Sequence, residues 1–131
     1  MQFIQPDGWP QPKGYSNGVL AEGKTLYVGG QIGWDENEQF QSDDFSDQVR
    51  KTLENTVAIL RAGGAKPEHI TRMTWYITNK QEYLGALKAV GQAYRDVIGR
   101  HFPVMAMLQV VALMEDRAKV EIETTAVIPN N

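Results

Sequence analysis

His101-Phe102-Pro103-Val104-Met105-Ala106-Met107-Leu108 separates two kinds of hydrophobic period, and that change of period decides the fold class. Before it, Tyr83, Leu87, Val90, Tyr94 and Val97 recur in steps of four and three, which places them on one face of a helix that Gly99 stops. After it the period is two. Met105 to Leu113 alternates loosely, Glu115-Asp116-Arg117 turns the chain, and Val120, Ile122, Thr124, Ala126 and Ile128 alternate with Glu121, Glu123, Thr125 and Val127.

The same two periods recur toward the N-terminus. Met73, Trp75 and Ile77 alternate with Arg72, Thr74 and Tyr76, a strand rich in aromatic and β-branched side chains. Phe45, Val49, Leu53, Val57 and Leu60 form the stripe of an earlier helix, with Ser42, Asp43 or Asp44 as its cap and Gly63-Gly64 as its end. Trp34-Asp35-Glu36-Asn37-Glu38 is a polar turn with an aromatic at its base. Val19-Leu20-Ala21 and Thr25-Leu26-Tyr27-Val28-Gly29-Gly30 read as a hairpin about Glu22-Gly23-Lys24. The glycine pair interrupts the second strand where its backbone comes close to another group. Pro6, Pro10 and Pro12 make the first 18 residues an irregular arm.

The predicted order is ββαβαββ, an α+β fold in a single domain spanning residues 1–131. Two helices with one apolar stripe each should cover the same face of the sheet. The other face is expected to carry Met105, Met107 and Val127, too apolar to stand in water, so a second copy of the chain is the expected cover.

Composition narrows the function classes. A chain of 131 residues, 42% hydrophobic, closes a core without staples, and the absence of cysteine excludes a disulfide framework and a thiol nucleophile. Cytoplasm is the expected compartment. Thirteen basic against sixteen acidic side chains leave a net charge of -3, which weighs against a nucleic-acid partner. No stretch approaches the roughly 20 apolar residues of a membrane span. His69 and His101 share no patterned carboxylate, so no metal site is expected. Ser16, Ser42 and Ser46 sit in no nucleophile elbow, and Gly29-Gly30 with Gly33 lacks the spacing of a phosphate loop.

Five segments recur in the order of one family's motifs: Gly14-Tyr15-Ser16-Asn17-Gly18-Val19, Val28-Gly29-Gly30-Gln31-Ile32-Gly33, Gln48-Val49-Arg50-Lys51-Thr52-Leu53-Glu54-Asn55, Phe102-Pro103 and Val120-Glu121-Ile122-Glu123-Thr124-Thr125-Ala126. The chain in this respect resembles the reactive-intermediate deaminases, the RidA/YjgF family. That resemblance implies a chorismate-mutase-like fold, a homotrimer with ligand clefts between subunits, and hydrolysis of a 2-imino acid with no cofactor. It also implies roles. Tyr15 matches a tyrosine that lines the cleft, and Glu121 matches the catalytic glutamate that positions or activates a water.

Four positions depart from the family pattern. Met105 stands where an arginine holds the substrate carboxylate, Met107 where a small residue sits, Gly30 where a serine precedes Gln31, and Gly91 where the second helix carries an asparagine. A thioether supplies neither the charge nor the fork of a guanidinium. With Trp34, the two methionines are expected to turn the cleft toward a small apolar or neutral ligand, and an imine, an enamine or a related catabolic intermediate is the expected substrate. Two other readings stand beside it: a small-ligand-binding or interaction module without catalysis, and an endoribonuclease, which the acidic balance disfavours. On the residues alone, Glu121 reads first as a solvated strand carboxylate, Tyr15 equally as a packing tyrosine or a cleft residue, and the methionine pair first as core filler with an apolar ligand wall as the alternative.

Overall fold

The computed structural model describes residues 1–131. In chain order its elements are β1 (Gln2–Ile4), β2 (Gly18–Leu20), β3 (Gly23–Ile32), α1 (Phe45–Ala62), a 3-10 turn (Pro67–His69), β4 (Ile70–Ile77), α2 (Lys80–Leu84), α3 (Leu87–Val97), β5 (Val104–Gln109) and β6 (Val120–Pro129). The main sheet runs β3-β6-β4-β5, and β1 and β2 form a separate two-stranded ribbon. Only β4 and β5 are parallel, which requires the crossover that α2 and α3 provide.

Two of the helices, α1 and α2, start where a short polar side chain satisfies an orphan amide. Asp44 holds extended backbone and accepts the Asp47 N–H, and Asn79 does the same for Glu82 at α2. Gly63 ends α1, and Gly99, at φ 92°, turns the chain after α3. The apolar faces of α1 and α3 close on the sheet. Val49, Leu53, Val57, Leu60, Val90 and Tyr94 pack with Val28, Met73, Trp75, Ile77, Val120, Ile122 and Ala126 in one core cluster.

Four expectations need correction. Glu22-Gly23-Lys24 is not a hairpin turn: Gly23 and Lys24 already belong to β3 and pair with Pro129 and Ile128 of β6. Gly23 has φ 147°, and a Cβ there would collide with the Ile128 carbonyl, so β3 begins pressed against the last strand. The arm is not wholly irregular either, since its β1 pairs with β2, Phe3 opposite Val19, and takes the partner expected for β3. The second helix is broken at Gly85, and the break interrupts the expected stripe: Tyr83 packs against the core while Leu87 is exposed.

The fourth correction concerns the methionines. In parallel β4 and β5, Met105 lies beside Met73 and Met107 beside Trp75, both of which are buried under the helices. Registered neighbours share a face. Met105 and Met107 therefore belong to the helix-covered side and pack against the core. The open side instead carries Arg72, Thr74, Tyr76, Glu121, Glu123 and Thr125, with Ala106 and Leu108 as its β5 contribution.

Two side chains lock α1 to the strands around it. Gln48, 1% exposed, donates to the Ser42 and Arg117 carbonyls at 3.1 and 2.9 Å and accepts the Lys119 N–H at 2.8 Å. Asn55 donates to the Ile32 and Trp34 carbonyls at 3.0 and 2.8 Å, fixing the end of β3. Gly33 permits that approach, for a Cβ there would stand 2.9 Å from Gln48.

Candidate active site

The stretch from His101 to Pro103 is held from three directions. Phe102 stacks on Tyr94 at 5.9 Å, the Tyr94 hydroxyl donates to the His101 carbonyl at 2.6 Å, and the His101 ring meets the Ile70 carbonyl at 2.6 Å. Burial pushes the Tyr94 phenol well above its ordinary pKa, so it stays a neutral donor. Ser16 then fastens the N-terminal segment to this anchor. Its hydroxyl donates to the Phe102 carbonyl and its N–H to the Pro103 carbonyl at 3.1 Å, while Ser16 and Val104 form a parallel bridge. Tyr15 is thereby delivered beside the outer edge of β5.

A cleft of about 490 Å³ opens at that edge. Its apolar wall is Ile77, Leu84, Met105 and Met107, and the Tyr15 and Tyr83 rings complete it. Lys13 and Lys80 also reach it. Tyr15, Met105 and Met107 are thus brought together, as Tyr83, Leu84 and the two lysines join them without any local sequence signal. Only the crossover and the Ser16 anchor bring residues so far apart in the chain to one place.

Glu121 lies elsewhere. On β6 it stands between Ile32 of β3 and Tyr76 of β4, half-buried on the open face of the sheet. A Cβ at Gly30 would fall on the Glu121 carboxylate, so the missing side chain at 30 is the space that carboxylate occupies. The register shift of β3 between Val28 and Gln31 sets this notch. Gln31 is half-buried beside it and turns its amide onto the Gly29 carbonyl at 3.2 Å. Tyr76 donates its hydroxyl to Glu123 at 2.8 Å, and that bond raises the Tyr76 pKa, helped by the Glu123 and Glu121 charges. The Glu121 carboxylate makes no hydrogen bond or ion pair within the chain.

Within one chain, Glu121 and Met105 cannot meet. They occupy opposite faces, and β6 and β5 are two strand spacings apart, roughly 10 Å. Trp34 lies outside the cleft: its ring packs on Phe40 at 6.0 Å at the base of the turn, where Asp35 accepts the Asn37 and Gln39 N–H groups. Those bonds, the Gln39 one first, lower the Asp35 pKa. Gly91 also lies outside, on α3 with an Arg95 guanidinium nitrogen as the nearest neighbour of a Cβ built there. No three His, Cys, Asp or Glu side chains converge in a way that could hold a metal ion, and no helix is long and apolar enough to cross a membrane.

Residues 10–128 match the family model described as endoribonuclease L-PSP. A human protein named 2-iminobutanoate/2-iminopropanoate deaminase is 29% identical over 86% of this chain and 79% of its own. Among solved structures, the Rid-family protein YyfB of Yersinia pestis, described as of unknown function, superposes with a TM-score of 0.85 at 27% identity, covering 97% of this chain and 98% of that one. E. coli TdcF with bound serine follows at 0.69 and 30%, covering 98% and 99%. Sequence motifs, sheet order and these likenesses agree, and the chain belongs to the RidA/YjgF superfamily.

Proposed function

We propose that the chain hydrolyses an imine or enamine intermediate in a cleft shared by adjacent copies of a homotrimer, with the Met105 and Tyr15 wall from one copy and Glu121 from the next. The observation that carries this reading is the Glu121 carboxylate: half-buried in the notch left by Gly30, unpaired, and on the face opposite the cleft that lacks a base. Each chain holds half of a site. The name of the human relative supports an imine as the substrate class.

In the shared cleft Glu121 takes a proton from water as the oxygen adds to the imine carbon, and the C=N pair moves to nitrogen. Glu121 hands that proton to the nitrogen to give the neutral aminocarbinol, then takes the hydroxyl proton as the C–O bond becomes a carbonyl and the C–N bond breaks, and passes it to the nitrogen, which leaves as ammonia. A positioned carboxylate of this kind contributes about 10²–10⁴ in rate. No cofactor enters the balance. Met105 offers no fork to a carboxylate, so the small 2-imino acids in the human relative's name fit this wall poorly.

The test is turnover of an imine generated in place by an amino-acid oxidase, followed by ammonia release. Wild type should exceed the spontaneous rate, Glu121→Gln should fall to that rate, and light scattering should give three chains per particle. A monomer mass at micromolar concentration, or unchanged turnover in Glu121→Gln, overturns the proposal.

A further inference from the structure

The cleft at the β5 edge has an electrostatic character opposite to that of the chain as a whole. The protein carries a net charge of -3, yet no aspartate or glutamate lines this cleft and two lysines do. Neither lysine is neutralised. The chain's ion pairs join Arg50 to Asp96, Arg117 to Asp43 and Lys119 to Glu82, leaving Lys13 and Lys80 free to face the cleft. Between them lies the apolar wall of Ile77, Leu84, Met105 and Met107.

We infer that Lys13 and Lys80 make this cleft a site for a monoanionic acid with an apolar body, and that they determine specificity in place of a cation on β5. The two lysines arrive from different directions. Lys13 precedes the segment that Ser16 fastens to Pro103 at the start of β5, and the Lys80 N–H is held by Gln109 at the strand's far end at 2.6 Å. An ammonium on a flexible stem is a point charge with no planar fork, so it attracts a carboxylate without dictating its angle. The methionines then select for bulk, because polarizable unbranched side chains adapt to branched or aromatic groups. A cleft of about 490 Å³ exceeds what a two- or three-carbon side chain fills. The ligand class is thus an acid with a leucine-sized or phenylalanine-sized body, instead of the apolar or neutral molecule that Met105 alone suggests.

This inference rests on the proposed function only in taking the same cleft as the ligand site, and its test needs no turnover. The probe is 4-methylpentanoate, with 4-methylpentanamide and 4-methylpentylamine as neutral and cationic comparators of the same shape. Binding to the full chain is read from the methyl resonances of Met105 and Met107, with Met73 in the core as the control. Wild type should hold the acid about tenfold more tightly than the amide, since two partly exposed charges contribute modestly. That preference should shrink as salt rises in wild type and vanish in the Lys13→Gln/Lys80→Gln protein while amide affinity stays. Equal affinity for acid and amide, a preference for the amine, no binding by any of the three, or an acid preference that survives high salt or both substitutions each overturns it. Loss of imine turnover in Glu121→Gln with the acid preference lost nowhere would sink this inference and leave the proposed chemistry standing.

Discussion

Gly30 and Glu121 compete for one volume: the carboxylate of Glu121 fills the space in which a side chain at position 30 would begin. Because the group in the way is the far end of a flexible side chain, the fold can yield and the site cannot. Gly30→Ala should therefore leave the melting transition nearly unchanged, with a cost under about 1 kcal/mol, typical of surface substitution. Imine turnover should fall at least about tenfold, since about 1 Å of misplacement has effects of that order. Calorimetry and a kinetic assay on one preparation check both halves, and a large stability loss with intact activity contradicts the account.

Gln48 should show the opposite pattern. It satisfies two carbonyls and an amide that are otherwise without partners, all close to the start of β6. Gln48→Leu should cost about 2–4 kcal/mol in urea unfolding, from leaving several part-buried groups unmet. A cost below about 0.5 kcal/mol would remove Gln48 from its locking role.

The Asp44 cap makes a prediction about acid. Its pKa is lowered from 3.8, chiefly by the Ser46 hydroxyl and then by the Asp47 N–H. A carboxylate depressed on folding contributes fully above its unfolded value and loses that contribution as pH falls through the folded one. Asp44→Ala should cost about 1 kcal/mol near neutrality, the usual value of a cap. The gap between the two proteins should close below the folded-state pKa. Stability curves from pH 7 to pH 2 read this, and a gap that widens with acid reverses the sign.

Met105→Arg should open the cleft wall to small 2-imino acids. A charge-assisted fork beneath the shared glutamate orients their carboxylate. Turnover of 2-iminopropanoate should rise above that of wild type, and the rise should disappear in Met105→Arg/Glu121→Gln. Identical rates in wild type and Met105→Arg would show that position 105 does not control access for that acid.

Much of the fold was legible because local chemistry and global packing agree. Asp44, the Phe45-to-Leu60 stripe and Gly63 define α1 from residues a few positions apart, and the alternation from Val120 to Ile128 gives β6 in the same way. The errors arose where a long-range partner decides. Alternation puts Met105 and Met107 on one side of a strand, but only the parallel register with Met73 and Trp75 says that the side is the covered one. Gly23 carries the composition of a turn, yet its positive φ serves a strand pressed on the Ile128 carbonyl. At the site, the motif around Tyr15 and the wall of Met105 and Met107 were legible in sequence. Lys13 and Lys80 were not, since an unpaired lysine in a loop and another at a helix start look like ordinary solvated charge until the fold brings them to one opening.

The position of β6 also governs how the chain is made. Of the strands of this sheet it is synthesised last, yet it lies between β3 and β4, so β3, synthesised early, has no in-sheet neighbour until residues near Pro129 emerge. Until then Leu26, Val28 and Ile32 have no strand to settle beside, and pairing across such a sequence separation carries the slow closure of non-local contacts. The N-terminal half of a nascent chain accordingly carries β3 with both edges unpaired for most of its synthesis. Folding waits for the last strand.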